Sequence, residues 1–334
     1  MGTTHSDFPS FPDATPPAEG APARDVFAYV PRLGSPPLRP ERRWRHVVLF
    51  LLTIVTTTYV GGFHYAAFIQ GFGTAGLGLS AGSLFLHGLW YSVSILAILG
   101  AHEFGHYYAC RYYQVDASLP YFLPAPLPLT GTLGAFIRIR QQIPGKRALF
   151  DIGIAGPIAG FLVAIPVLLL GMSMSRVDAL PPVTSNLVEL GEPLLFKAAS
   201  WLVFGTIPDG YSINMHPMGF AAWFGLLATA LNLFPIGQLD GGHISYAVLG
   251  RRSTLVTLTA VVCLVGLSFV SSSWIVWTVL TVGMLLAFGP RHPRTYDEEV
   301  PLDRPRLWLA AFAALMFVLC FTPAPISPFQ LMQP

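Results

Sequence analysis

Seven long apolar stretches divide this chain, and short polar or proline-rich segments separate them. The stretches fall at about residues 46–68, 84–108, 149–171, 216–236, 254–271, 274–290 and 307–323. A helix needs roughly 20 residues to cross the hydrocarbon core of a bilayer, so each stretch is long enough, or nearly long enough, to span it. The pattern predicts an all-α polytopic membrane protein with about seven transmembrane helices.

The composition supports a membrane environment. Hydrophobic residues make up 53% of the chain and charged residues 11%, whereas soluble domains carry about 25% charged residues. The net charge of +2 is too small to indicate a nucleic-acid partner. The three cysteines are widely spaced, which favours buried apolar residues over disulfides or a thiolate metal site. The expected surroundings are therefore the lipid bilayer.

Three regions differ in composition. Residues 1–44 are rich in proline and lack an apolar core, which is typical of a disordered tail without a cleavable signal peptide. Residues 45–250 are expected to form the membrane core with the chemical site, and residues 251–334 additional C-terminal transmembrane helices. This organisation favours a bacterial inner membrane, with an organellar membrane as the alternative.

The basic residues predict the orientation of the spans. With the N-terminus in the cytoplasm, 17 of the 19 lysines and arginines fall in inner segments, and only Arg176 and Lys197 fall outside. Cytoplasmic loops of membrane proteins carry an excess of such residues. The second and fourth stretches then both run inwards and end at the same side of the membrane.

A metal-binding motif stands at the inner end of the second stretch. His102 and His106 are four positions apart, so on a helix both imidazoles lie on one face and can bind one divalent ion. Glu103 lies between them, where it can handle a proton on a water molecule at that ion. Ionisable residues inside an apolar span indicate function.

The fourth stretch offers a third ligand at the same depth. Hydrolytic zinc sites have three protein ligands and one position for water. Asp240 is the best candidate, because Pro235 should break the helix just before it. His243 is a rival ligand. Glu189 and Glu192 fall in a predicted outer loop, away from the motif.

The segment at 118–147, between the two histidines and the next stretch, is too proline-rich for a helix. Residues 135–140 alternate between apolar and polar side chains, which predicts a short strand or a re-entrant segment on the cytoplasmic side. One hypothesis is that this strand, centred on Ile137, binds unwound substrate by β-addition. The alternative is a cytoplasmic loop whose arginines only enforce topology.

Taken together, these segments resemble the site-2 protease family of intramembrane zinc metalloproteases. The matching residues are His102-Glu103-Phe104-Gly105-His106, Gly153-Ile154-Ala155-Gly156-Pro157-Ile158-Ala159-Gly160, Asn232-Leu233-Phe234-Pro235 and Leu239-Asp240-Gly241-Gly242. The resemblance implies that His102, His106 and Asp240 bind Zn²⁺ and that Glu103 is the general base and acid. It also implies that Asn232 holds the substrate or the developing oxyanion.

The same resemblance implies cleavage of transmembrane protein substrates in regulated intramembrane proteolysis. The chain has no room for the PDZ domain of many relatives, so a compact member is expected. Two other functions remain open: an HExxH membrane peptidase that acts on non-transmembrane peptides with a glutamate ligand, or a non-catalytic metal-binding membrane protein.

Overall fold

The computed structural model describes residues 41–72, 78–181, 188–289, 295 and 297–328. The predicted disordered tail, residues 1–44, lies outside the described residues except for positions 41–44. The first helix already begins at Arg43.

Helices make up most of the described chain. They are α1 (Arg43–Gln70), α2 (Ala81–His87), α3 (Leu89–Tyr112), α4 (Lys146–Ser173), α5 (Leu194–Phe204), α6 (Pro217–Leu233), α7 (Asp240–Leu249), α8 (Ser253–Val270), α9 (Ser273–Phe288) and α10 (Arg304–Cys320). A short 3₁₀ turn, Gly250–Arg252, joins α7 to α8.

Each of the seven predicted stretches contains a helix in the described chain, but these helices are not equally suited to crossing a membrane. Four helical segments in the described chain are long and apolar enough to span it: Arg43–Gln70, Ala81–Tyr112, Lys146–Ser173 and Asp240–Val270. Shorter apolar helices lie at Leu194–Phe204, Pro217–Leu233 and Ser273–Ala287. The predicted count of seven spans therefore stays a prediction, and α5 is an apolar helix that the sequence pattern did not indicate.

Six short strands pair into three antiparallel ribbons in the described chain. They are β1 (Tyr121–Pro124), β2 (Thr132–Phe136), β3 (Arg176–Ala179), β4 (Val188–Leu190), β5 (Tyr211–Asn214) and β6 (Ile326–Pro328). The pairs are β1 with β2, β3 with β5, and β4 with β6.

The strand predicted at 135–140 is only partly right. The strand β2 ends at Phe136, whose ring stacks on Tyr121 of β1. Beyond it, Ile139 forms an isolated bridge to Ala117. Arg140 continues this pairing, since its backbone N–H donates to the carbonyl oxygen of Asp116. Its guanidinium binds Glu41 at 2.7 Å, and this ion pair holds the segment against the start of α1.

Helices α3, α4 and α6 form the centre of the molecule, and small residues bring them close together. A Cβ atom added to Gly105 of α3 would lie 2.5 Å from the carbonyl oxygen of Ala155 in α4. One added to Gly171 of α4 would lie 2.3 Å from the backbone nitrogen of Gly219, in α6. Membrane helices pack through such small residues because their backbones can then approach closely.

The C-terminal helices pack on this centre through aromatic rings. Phe234, in the link between α6 and α7, contacts Trp274 of α9 and Phe317 of α10. Trp274 is fully buried, and its indole N–H donates to the carbonyl of Pro323 at 2.8 Å. This cluster holds α9 beside the link that leads to Asp240.

Candidate metal centre

The histidine motif lies in the second half of α3, and its three polar side chains are buried. His102, Glu103 and His106 each have less than a tenth of their surface exposed. The helical spacing places both imidazoles on the face that packs against α4. Burial of three ionisable groups in an apolar helix bundle is costly unless they bind each other or an ion.

Asp240, the first residue of α7, completes the group. Its Oδ2 lies 3.2 Å from Nε2 of His102 and 3.3 Å from Nε2 of His106, and the two Nε2 atoms are 3.1 Å apart. Among the described residues, these three side chains form the cluster suited to a metal ion.

The size of this triangle fits zinc. Two ligand atoms about 2.0–2.1 Å from a tetrahedral Zn²⁺ lie about 3.3 Å from each other. The three observed separations are close to that value. Three electron-rich atoms at this spacing repel one another unless a cation or shared protons lie between them.

A break in the chain brings Asp240 to the histidines. Helix α6 ends at Leu233 and α7 begins at Asp240, with Pro235 in the non-helical link between them. Proline lacks a backbone N–H and cannot continue the helix. Asn232, in the last turn of α6, consequently has its side-chain amide nitrogen 3.3 Å from Nε2 of His102.

Two glycines of α4, Gly156 and Gly160, form the other side of the site. A Cβ atom on Gly156 would lie 2.1 Å from Nε2 of His106, and one on Gly160 would lie 3.1 Å from Cβ of His102. The two glycines are four positions apart, like the two histidines they face. They leave the space that the imidazoles occupy.

The backbone of α4 also orients His106. Nδ1 of His106 lies 2.7 Å from the carbonyl oxygen of Ile152. When Nδ1–H donates this hydrogen bond, Nε2 keeps its lone pair for a metal. Metal-binding histidines commonly use a backbone carbonyl in this way, so this contact also fits a metal centre.

Glu103 lies beside the group without belonging to it. It is close enough to interact electrostatically with His102, His106 and Asp240, and with the backbone of Ile137. The side chain of Ile137 packs on Cys110 and neighbouring apolar residues. Ile137 therefore contacts the site through its backbone and the core through its side chain.

The rival ligands lie elsewhere. His243 lines a cavity with Arg138 and Gln238 and is not part of the cluster that contains Asp240. Glu189 and Glu192 line a different cavity, beside β5. The structure thus brings Asp240, and not these residues, to the two histidines.

Sequence reasoning missed a polar cluster beside the site. Arg306 of α10 donates two hydrogen bonds to the carboxylate of Asp151 in α4, at 2.9 and 2.5 Å. Tyr113, just after α3, donates its hydroxyl to the same carboxylate. Burial, together with this hydrogen bond, raises the pKa of Tyr113. Asp151 directly precedes Ile152, whose carbonyl binds His106.

Comparison with known proteins agrees with this arrangement. Residues 90–272 match the sequence model of peptidase family M50. Curated relatives include the probable zinc metalloprotease EGY2, chloroplastic, of Oryza sativa subsp. japonica, which is 30% identical over 248 residues, covering 73% of this chain and 44% of the relative. The Arabidopsis thaliana EGY2 is 30% identical over 207 residues, covering 62% of this chain and 37% of the relative.

A further relative is the probable zinc metalloprotease EGY1, chloroplastic, of Arabidopsis thaliana. It is 32% identical over 168 residues, covering 48% of this chain and 29% of the relative. The matched regions span less than half the length of these relatives. No solved structure matches this chain.

Proposed function

Because the chain belongs to peptidase family M50, the site-2 protease family, we propose that it is an intramembrane zinc metalloprotease. Its substrates would be membrane proteins, hydrolysed at peptide bonds within or beside their transmembrane segments. The observation that carries this proposal is the triangle of His102, His106 and Asp240 inside apolar helices, with Glu103 beside it.

The residues of this chain have separate tasks in the reaction. Bound zinc would supply a Lewis acid that polarises the scissile carbonyl and activates water. Glu103 accepts a proton from the attacking water and passes it to the leaving nitrogen. The amide of Asn232 donates to the carbonyl oxygen as negative charge develops on it. The Ile152 carbonyl keeps the imidazole of His106 in the ligating tautomer.

The proposed substrate geometry is an extended strand. A helical substrate shields its peptide bonds, so it must unwind before attack. Leu133, Gly134 and Ala135 of β2 line the same cavity as His102 and Glu103. Since β2 pairs only with β1 in its described sheet, its other edge can accept a substrate strand by β-addition.

Ile137, the residue first assigned to substrate binding, lies just after this strand. Its backbone interacts with the Glu103 carboxylate, so replacing Ile137 with proline would disturb the general base as well as the edge. We therefore propose that the substrate pairs with the edge of β2 and that Ile137, at the end of this edge, contributes to substrate binding and also positions Glu103.

The proposed location is a bacterial inner membrane with the N-terminus in the cytoplasm. The distribution of basic residues supports the orientation. The curated relatives are chloroplastic by name, and an organellar membrane is the alternative. The two other functions have weaker support, since Glu189 and Glu192 lie apart from the histidines and metal binding alone needs no Glu103.

The test is the Glu103→Gln variant, purified and reconstituted in liposomes with a panel of single-span membrane proteins. Wild-type protein should cleave one or more of them, with cleavage sites mapped by mass spectrometry. Glu103→Gln should keep its zinc and lose activity by about 100-fold or more, as expected for loss of a general base. Glu189→Gln is the matched control and should cleave normally.

Two results would contradict the proposal. One is undiminished cleavage by Glu103→Gln, which would remove Glu103 from the chemistry. The other is failure of zinc-loaded wild-type protein to cleave any member of the panel.

A further inference from the structure

A small apolar cavity opens beside the metal centre, and its far wall is helix α9. The cavity has a volume of about 300 Å³, which is at the lower end of the roughly 300–1,000 Å³ typical of small-molecule pockets. His102, Glu103 and Asn232 are among the residues that line it. We call this space the apolar chamber.

One face of α9 forms the far wall. Its chamber-lining residues are Trp277, Leu280, Thr281 and Met284. These positions follow the spacing i, i+3, i+4, i+7, which places them on a single face of a helix. Thr281 is only 8% exposed. The lipid-facing residues of the same helix include Val279, which is 65% exposed.

Small residues on the opposite walls leave the chamber open. Gly134 and Ala135 line it from β2, and Gly225 and Ala228 line it from α6. A Cβ atom on Gly134 would meet nothing within 4 Å, whereas one on Gly225 would lie 2.9 Å from Ile98. Gly134 therefore leaves the chamber free beside the strand edge, whereas Gly225 lets α6 pack closely on Ile98 of α3.

We propose that the apolar chamber is the specificity subsite, which takes one bulky apolar side chain of the substrate next to the cleaved bond. This inference rests on the proposed protease function. A strand paired with the free edge of β2 projects alternate side chains to opposite faces. Because Glu103 and His102 line the chamber, the side chain that enters it belongs to a residue beside the scissile peptide.

The physical basis of the preference is burial. Leucine or phenylalanine in the chamber removes apolar surface from water and fills space that alanine leaves empty. Pockets of this kind discriminate by roughly 10–200-fold when substrate side chains differ by one methylene group. The occupant that competes for an apolar cavity in a membrane is a lipid acyl chain.

The activity test uses single-span proteins that carry alanine, leucine or phenylalanine at each residue flanking the cleaved bond. At one of these positions, wild-type protein should cleave the leucine substrate at least about 10-fold faster, in kcat/KM, than the alanine substrate. Thr281→Phe fills the chamber and should abolish this preference by lowering kcat/KM for the leucine substrate more than for the alanine substrate.

Controls separate filling of the chamber from general damage. Val279→Phe adds the same ring to the lipid-facing side of α9 and should keep the wild-type preference. Ala228→Leu fills the chamber from α6 and should reproduce the effect of Thr281→Phe if that variant fails to fold. All variants should retain zinc.

A second readout does not depend on turnover. Photoleucine at the preferred substrate position should cross-link to α9 in the Glu103→Gln variant, and Thr281→Phe in that background should reduce the cross-link. Equal cleavage of all wild-type substrates, a uniform loss with Thr281→Phe, or cross-links only to lipid would overturn the subsite. A wild-type protein that cleaves nothing would instead overturn the proposed function itself, and the subsite with it.

Discussion

At the residue scale, the metal centre depends on two glycines of α4, which leave space for the imidazoles of the two histidines. Gly156 and Gly160 face the two histidines, and an added methyl group at Gly156 would overlap the imidazole of His106. Pro157 directly follows Gly156, and because it has no backbone N–H it weakens the regular hydrogen bonding of this helical segment. The carbonyl of Ile152, in the same segment, binds His106. These contacts fix the ring positions before any ion binds.

Gly156→Ala should therefore lower the affinity for zinc by about 10–100-fold, the usual effect of disturbing the surroundings of a ligand. Alanine in a helix interior is otherwise favoured over glycine by roughly 1 kcal/mol, so general destabilisation does not explain such a loss. Competition with a fluorescent chelator measures the affinity.

The matched control for this variant is Gly266→Ala in α8, where the added Cβ would meet nothing within 4 Å. It should bind zinc like the wild type. Unchanged zinc affinity in Gly156→Ala would show that His106 is not held as the structure has it.

At the scale of elements, α10 is tied to the catalytic helices by one guanidinium. The guanidinium of Arg306 donates hydrogen bonds to Asp151 of α4, to Asp303 at the N-terminus of α10, and to the hydroxyl of Tyr113 after α3. A bidentate pair of this kind is directional. It joins the C-terminal region to the turn of α4 that orients His106.

Arg306→Met should destabilise the protein by about 1–3 kcal/mol. This value lies between those for exposed and buried ion pairs, because the partners are partly exposed. Thermal unfolding in detergent measures the change. Arg304→Met, at an exposed neighbouring position of α10, should have little effect. Equal stability of the two variants would contradict a linking role for Arg306.

The sequence predicted the long elements better than the short ones. The length of the seven apolar stretches alone located the main helices, and Pro235 indicated the break before Asp240. The helices located in this way are α1, α3, α4, α6, α8, α9 and α10. The ribbons β3–β5 and β4–β6 pair residues that are far apart in the chain, such as Arg176 with Asn214 and Glu189 with Ser327. No local pattern encodes such pairing. The strand β2 was only partly located, because it runs from Thr132 to Phe136 and the pairing beyond it is reduced to an isolated bridge between Ile139 and Ala117.

At the scale of the whole molecule, the site is assembled from helices that are distant in sequence. His102 and Asp240 are 138 positions apart and meet because both lie at the ends of apolar segments that run in the same predicted direction. The resemblance to the site-2 protease family is confirmed by the family match. The family resemblance included the glycine segment of α4, but the packing of these glycines against the histidines and the link through Arg306 were not predicted, because both depend on which helices become neighbours.

The most direct test of the account compares Asp240→Ala with His243→Ala, one turn away on α7. Zinc content and cleavage of a single-span substrate are measured in the same liposomes, before and after chelation and zinc addition. Asp240→Ala should lose most of its zinc and its activity, whereas His243→Ala should keep both, and wild-type cleavage should follow zinc content. Zinc retained by Asp240→Ala but lost by His243→Ala, or cleavage by zinc-free protein, would contradict the account.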